Sequence, residues 1–246
     1  MKFVYVLTAS TLILLSTRVI AQEQQSSQNH FIDITGTFGS SQGTVGASYV
    51  YNWKLGKKRR IEVGLGARWT TYFGTKTDFL TAGPAEKTRS FTTPFVIFFA
   101  GQQEENFDTL TVQRPLTNSV NLSLNLGYNL SRKWYAGFNI DLIGFSFGRK
   151  GSAVLTSNGT TVIEAEAKPV PFNILLTGDH DHGTLNSEFF LKYALTDRCC
   201  LKALYQFIFV EYETTFIEQT FPDGTTNNRF RNKANNFGLG VSYKFK

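Results

Sequence analysis

From Val120 to Leu130 every second residue is apolar: Val120, Leu122, Leu124, Leu126, Tyr128 and Leu130 stand against Asn121, Ser123, Asn125, Gly127 and Asn129. A period of two sends the first set to one face of an extended strand and the second set to the other. The pattern recurs along the chain. Phe31–Phe38 alternates, Val45–Trp53 aligns Val45, Ala47, Tyr49, Tyr51 and Trp53, and Ile61–Phe73 aligns Ile61, Val63, Leu65, Ala67 and Trp69. Trp134–Phe147 places Ala136, Phe138, Ile140 and Leu142 together, and Leu185–Leu195 does the same with Phe189, Leu191, Tyr193 and Leu195. Leu201–Glu213 aligns Leu201, Ala203, Tyr205, Phe207 and Phe209, and the chain closes on Phe237, Leu239, Val241, Tyr243 and Phe245. Eight segments result, each near the roughly 9–11 residues with which a tilted strand crosses a bilayer.

Alternation alone also suits a soluble sandwich, so the connections discriminate. Leu55–Arg60, Ser131–Lys133 and Thr196–Arg198 are short and polar, whereas 74–117, 148–183 and 214–233 are long, with Gly39–Thr44 on their side. From a periplasmic N-terminus every short polar turn falls inside and every long connection outside, the sorting of an outer-membrane barrel. A sandwich gives no reason for it. Within the long connections, Ser152–Thr156 and Thr160–Ala165 flank Asn158-Gly159, a hairpin turn signal, and predict an extracellular hairpin. Phe95–Ala100 is an apolar run with which Asp108–Gln113 could pair, which would raise the count to ten strands.

The N-terminus reads as an address. Lys2 is basic, Phe3–Leu15 is nearly all apolar, and Val19-Ile20-Ala21 ends small, as a cleavable signal peptide over residues 1–21 does. A short segment, 22–29, then precedes a single barrel domain over 30–246. Removing Lys2 and Arg18 lowers the formal charge from +6 to +4. No dense Lys/Arg stripe or basic helix accompanies it, so nucleic acid is not an expected partner. The excess suits lipid phosphates. Phe (23), Tyr (10) and Gly (21) are abundant, a composition that favours strands and barrels. Cys199 and Cys200 are adjacent and would close only a strained ring, so they are read as free or loosely oxidised thiols beside a turn.

A strand ring in lipid must satisfy its backbone internally and therefore closes. The expected fold is all-β: a closed antiparallel up-and-down transmembrane β-barrel of about eight strands with long extracellular loops. Its inward face would carry Asp33, Glu62, Arg68, Asp141, Glu188, Lys192, Lys202 and Lys244, four acids against four bases, joined by Thr35, Thr70, Asn125, Asn139 and Gln206. Such a set is satisfied only in pairs or networks, and eight strands leave an interior that side chains fill. A plugged barrel is expected rather than an open pore. Trp53, Tyr128, Trp134, Tyr193 and Tyr243 fall near the inner strand ends and Trp69, Phe73 and Phe209 toward the outer ends, as two interfacial girdles.

Gly240-Val241-Ser242-Tyr243-Lys244-Phe245 resembles the closing-strand signal read by the barrel-assembly machinery, with Phe245 penultimate rather than terminal. With the leader and the alternating series, the mature chain resembles the OmpA/OmpX-like group of small outer-membrane barrels, including the Bacteroidetes-type barrel families. That resemblance implies the bacterial outer membrane as location, lipid and lipopolysaccharide as surroundings, and the assembly machinery as a partner during insertion. A peptidoglycan-binding domain is not expected after the barrel, so the wall-tethering role of the longer members is not implied.

Three functions stay open at this stage. The favoured one is a structural or interaction barrel whose extracellular loops meet a partner, since binding loops on a rigid scaffold commonly carry function. The others are a narrow channel for small solutes and a lipid A-modifying enzyme. Gly178-Asp179-His180-Asp181-His182-Gly183 could hold a divalent metal through His180, Asp181 and His182, against the reading of a solvated loop. Ser187 and Glu188 lie close to His182 in sequence, but Ser187 is expected to face lipid, opposite Glu188, which does not make a triad. No motif requires a cofactor. Gly64-Leu65-Gly66 and Gly238-Leu239-Gly240 lie inside strands and serve packing, not nucleotide binding.

Overall fold

The computed structural model describes residues 28–88, 106–157, 159–176 and 180–245. The leader, the run Phe95–Ala100, and Asn158, Gly178 and Asp179 lie outside the described residues. No described helix is long and apolar enough to cross a membrane.

The strands are set by alternation and ended by turn residues. β1 (Gln28–Phe38), β2 (Gln42–Leu55), β3 (Ile61–Gly74) and, after two short strands, β6 (Leu116–Asn129) and β7 (Trp134–Gly148) follow the predicted segments. β4 (Lys76–Thr81), α1 (Ala85–Thr88) and β5 (Thr109–Gln113) occupy the connection from β3 to β6. The second half supplies β8 (Gly151–Ser157), β9 (Thr160–Pro169), β10 (Phe172–Ile174), β11 (Leu185–Ala194) and β12 (Cys199–Thr214). After β12 come β13 (Gln219–Thr220), β14 (Thr226–Asn227) and β15 (Arg229–Lys244). Gly56 (φ 76°) opens the first inner turn and Gly159 (φ 79°) turns the β8–β9 hairpin, both in the left-handed region that glycine enters without penalty.

Thirteen strands join in one antiparallel sheet, and its pairings trace two rings. The first runs β1–β2–β3–β6–β7–β11–β12–β15 and returns to β1. The second runs β12–β15–β4–β5–β8–β9 and returns to β12. Strands β12 and β15 belong to both.

The rings have opposite insides. In the first, buried Glu62, Arg68 and Thr70 of β3 alternate with outward Ile61, Leu65 and Trp69, each about half exposed. Leu239 and Phe237 of β15 stand out further still, at 70% and 65% exposed. Apolar surface faces out all round and polar groups face in, the reverse of a protein folded for water. In the second ring the interior is apolar. Phe79 of β4, Leu110 and Val112 of β5, Leu155 of β8, and Ile208, Val210 and Tyr212 of β12 form one buried cluster with Tyr72 and Phe230. Lys76 and Asp78 face outward from β4. The short strands are amphipathic in the ordinary sense and bury their apolar face against the upper ends of β12 and β15.

Several expectations change here. The stretches 74–117 and 148–183 are not open loops, because their short strands complete the second ring. Thr109–Gln113 pairs with β4 and β8, and both are too short for a spanning hairpin. β12 and β15 run past their expected ends, which shortens the last connection to 215–228. Phe209 is no part of an exposed girdle: it is 3% exposed, with Arg231 stacked 4.6 Å from its ring. The Asp181–Leu185 segment covers that face of β12, with Leu185 opposite Phe209 and Gly183 donating its N–H to Glu211. Ser187 is buried rather than lipid-facing, its hydroxyl donating to the Phe207 carbonyl at 3.4 Å.

Candidate functional site

The interior of the first ring holds one connected chain of charge. Asp141 accepts from Arg68 Nε at 3.0 Å, and Arg68 Nη1 lies 3.3 Å from Glu188. Glu188 meets Lys202 Nζ at 2.8 Å, and the same ammonium lies 3.0 Å from Asp33. Asp33 meets Lys192 at 2.8 Å, and Lys192 donates to Ser242 at 3.0 Å. Three acids and three bases thus alternate, drawn from β1, β3, β7, β11 and β12, and all six are buried. Their remaining hydrogen-bond capacity is taken up by carboxamides: Asn139 accepts from Arg68 at 2.6 Å, and Asn121 donates to Asp141 at 2.8 Å. The low-dielectric interior makes such satisfaction obligatory.

The other two predicted interior charges sit apart from this chain. The Glu62 carboxylate accepts from Asn29 (2.8 Å), Asn52 (3.1 Å) and Asn129 (2.8 Å). Lys244 is only half buried and lies at the inner mouth. Near the strand end its side chain reaches water, so the buried set is four acids against three bases rather than four against four. The unmatched acid, Glu62, is held by the three asparagine amides instead of a cation. Thr35, Thr70, Asn125, Asn139 and Gln206 are all buried.

Aromatic rings close the space between the chain and the inner mouth. Lys192 Nζ stands 3.3 Å from the Phe31 ring centroid, and Lys202 stands 4.5 Å from that of Phe190, contacts favourable for a desolvated ammonium. Tyr135 lies across Gly127 and Phe190 across Gly137, in space that a Cβ would occupy. These two glycines are therefore required by close approach. Towards the other end, Gln206 Oε1 accepts from Thr37 (2.8 Å), Thr44 (3.1 Å) and Asn236 (2.9 Å), and above that layer the apolar core of the second ring begins. A basin of about 550 Å³ remains at the inner mouth, lined in part by Lys192, Cys200 and Lys244. Cys199 and Cys200 are both free thiols.

The second ring is tied to its surroundings by carboxylates that alternation did not reveal. Glu211 accepts from Arg231 Nε at 2.8 Å and from the Gly183 N–H at 2.7 Å, and Arg231 also donates to the Asp181 carbonyl. Glu164 accepts the N–H groups of Glu166, Phe216 and Ile217. The visible signal was an acid or base interrupting an apolar run, as Glu211 does between Val210 and Tyr212. Lys87 and Thr225 bond the Asp223 carboxylate and hold it well below the ordinary carboxylate range, whereas burial pushes the Asp108 carboxyl up.

The His-Asp segment is not gathered into one site. His180 is exposed, Asp181 turns inward to accept from the Leu176 N–H at 2.7 Å, and His182 Nδ1 lies 3.1 Å from the Phe172 carbonyl. No metal-sized group of three His, Cys, Asp or Glu side chains occurs among the described residues. Ser187 bonds the backbone and Glu188 belongs to the ion-pair chain, so neither is directed at His182.

No family model matches the chain, and no curated protein matches it. Among solved structures it is similar to Neisserial surface protein A, with 11% identity, a TM-score of 0.36, and coverage of 89% of this chain and 98% of that one. It is also similar to the N-terminal β-barrel domain of Pseudomonas aeruginosa OprF (12% identity, TM-score 0.33, 89% of this chain and 98% of that one). A third is Ail, the attachment invasion locus protein of Yersinia pestis, in complex with a heparin analogue (8%, 0.33, 89% and 97%). No residue role passes from them to this chain.

Proposed function

We propose that this chain is an exported outer-membrane β-barrel, eight-stranded and closed, whose interior is plugged by the Asp141-to-Lys192 ion-pair chain. It acts as a structural or interaction protein by displaying the second ring outside the membrane. One observation carries the reading: an inside-out ring and a ring of ordinary sense share β12 and β15. The first needs lipid around it, because a continuous apolar collar far exceeds the patches of a few hundred Å² that soluble monomers expose. The second buries its own apolar core and needs water. On this reading the membrane boundary lies at their junction, near the Gln206 layer. On this reading residues 1–21 are removed on export, the assembly machinery inserts 30–246, and lipid and lipopolysaccharide surround the collar.

The buried chain of six charges and its rings stand across the interior of the first ring, which argues against a channel. The placement of His182 away from Ser187 and Glu188 argues against hydrolysis. The test is reconstitution of the mature protein in planar bilayers, with photo-cross-linkers at Ile163 on β9 and at Phe216 in the connection after β12, which stand 74% and 71% exposed. Heat-modifiable gel mobility, no conductance, and cross-links in intact cells from both positions are expected. Discrete conductance steps would instead establish the channel, and altered lipid A on overexpression would establish the enzyme.

A further inference from the structure

Charge is distributed very unequally between the two ends. The three inner turns and the strand ends beside them carry Lys57, Lys58, Arg59 and Arg60, then Arg132 and Lys133, then Arg198, with Lys54 and Lys244 flanking. Among the described residues these nine bases meet a single exposed acid, Asp197. The opposite end is mixed: its described residues hold nine Lys or Arg against ten Asp or Glu. Interior charges nearly cancel. The basic excess of the protein is therefore a property of one rim.

That rim is also apolar in a particular way. Each inner turn begins with an exposed leucine, at Leu55, Leu130 and Leu195, between 47% and 57% exposed. Trp53, Tyr128, Trp134 and Tyr243 stand outward beside them at 40–45% exposure. The strand register brings these to one level, with Tyr128 opposite Ile61, Trp134 opposite Tyr193, and Tyr243 opposite Cys199. A collar of leucine, indole and phenol thus lies directly below a crown of ammonium and guanidinium groups. Lys57, Lys58, Arg60, Arg132 and Lys133 enter no ion pair with a described carboxylate.

We propose that this inner rim is a binding surface for anionic phospholipid headgroups of the adjoining leaflet. The inference rests on the membrane reading above and adds a ligand class to it. A soluble polyanion would satisfy the bases but leave the leucines and aromatic rings in water. A lipid satisfies both, its phosphate among the Lys and Arg groups and its glycerol and upper acyl segment against the collar, where Trp and Tyr settle at headgroup depth. A basic residue close to an anionic surface attracts its headgroups, and does so only within a Debye length. Several act together here, so the rim selects anionic over zwitterionic lipid.

The test uses the full mature protein in phosphatidylcholine vesicles containing trace spin-labelled phosphatidylglycerol or spin-labelled phosphatidylcholine. The motionally restricted fraction of each label is compared. Enrichment of the anionic label by roughly threefold is expected at about 0.1 M salt, falling towards parity at about 1 M. The variant Lys57→Gln/Lys58→Gln/Arg132→Gln/Lys133→Gln should insert with the same heat-modifiable mobility yet lose the enrichment. Equal restriction of both labels around inserted wild type overturns the proposal, as does enrichment that survives in the variant. Failure of the wild type to insert at all would overturn the membrane reading instead. Soluble polyglutamate is titrated in parallel: rim-dependent binding of it without lipid enrichment would assign the surface to a soluble polyanion and sink the lipid assignment.

Discussion

Lys202 is the centre of the interior chain, and removing it tests whether the six charges act as a unit. Its ammonium lies 2.8 Å from Glu188 and 3.0 Å from Asp33. Each acid keeps a second base, Arg68 at 3.3 Å and Lys192 at 2.8 Å. Lys202→Met therefore leaves three buried acids facing two bases, and Glu188→Gln leaves two acids facing three. Stranding one charge in a buried network costs about 3–5 kcal/mol. The double variant removes one acid and one base and leaves two separate neutral pairs, Asp141–Arg68 and Asp33–Lys192. Its cost should fall short of the sum of the single costs by about 2–3 kcal/mol, the upper part of the range for coupled neighbours. The assay is equilibrium urea unfolding from vesicles, followed by tryptophan fluorescence. Trp53, Trp69 and Trp134 all face outward and report lipid contact without touching the network. Additive costs, equal to within about 0.5 kcal/mol, would mean the pairs are independent and would refute the reasoning.

The second ring should loosen separately from the first. Phe79→Ala removes a fully buried ring 5.0 Å from Tyr212 and should cost about 3–5 kcal/mol; external protease should then cut within residues 76–113 while heat-modifiable mobility persists. Gly127→Ala places a methyl group where Tyr135 lies and should destabilise by about 1–3 kcal/mol, and Tyr135→Ala in the same chain should relieve part of that loss; equal losses with and without Tyr135 would show that the glycine serves another purpose. Cys199 and Cys200 project to opposite faces of one strand, so protein recovered from the oxidising envelope should take up two alkylating groups on denaturation without reductant. A chain that takes up none by intact mass would contradict that placement.

The first ring was legible because each of its strands is long enough for period-two alternation to stand out, and because a ring with a polar interior and an uncovered apolar outside demands that alternation along its length. The second ring was not. β4 and β5 are six and five residues long, too short for pattern to separate them from loop, and β4 meets β15 across only two residue pairs, Thr81 with Phe230 and Leu80 with Arg231. The β8–β9 hairpin announced itself through its glycine turn, and Asp108–Gln113 read as a pairing segment, but its partners are β4 and β8, which short-range pattern does not name. Alternation also misled at Phe209: the residue continues the outward series of Leu201, Ala203 and Tyr205, but the chain segment ending at Leu185 folds over it. Which face a residue joins was readable, whereas what covers that face depends on contacts distant in sequence. The interior charges show the same division. Their inward direction follows from local parity, but the order Asp141–Arg68–Glu188–Lys202–Asp33–Lys192 follows from strand register, and Lys244 drops out because it lies one step too near water.

Strands β12 and β15 explain why the two rings form one object. Each has 16 residues, beyond the roughly 9–11 that a tilted strand uses to cross hydrocarbon. The surplus continues the same ladder, from Cys199 opposite Tyr243 to Glu213 opposite Arg229, without a break in register. Side-chain parity is therefore inherited across the junction: Lys202, Leu204 and Gln206 point into the first ring, and Ile208, Val210 and Tyr212 point into the second from the same face. One face of one strand thus changes from charged, through amide, to apolar, which on the proposed reading follows its surroundings from lipid to water. A one-residue slip would exchange that face along its whole length, so the two interiors hold each other's register. A surface built on such strands cannot swing on a linker; on the proposed reading its orientation to the membrane is set by the barrel that carries it.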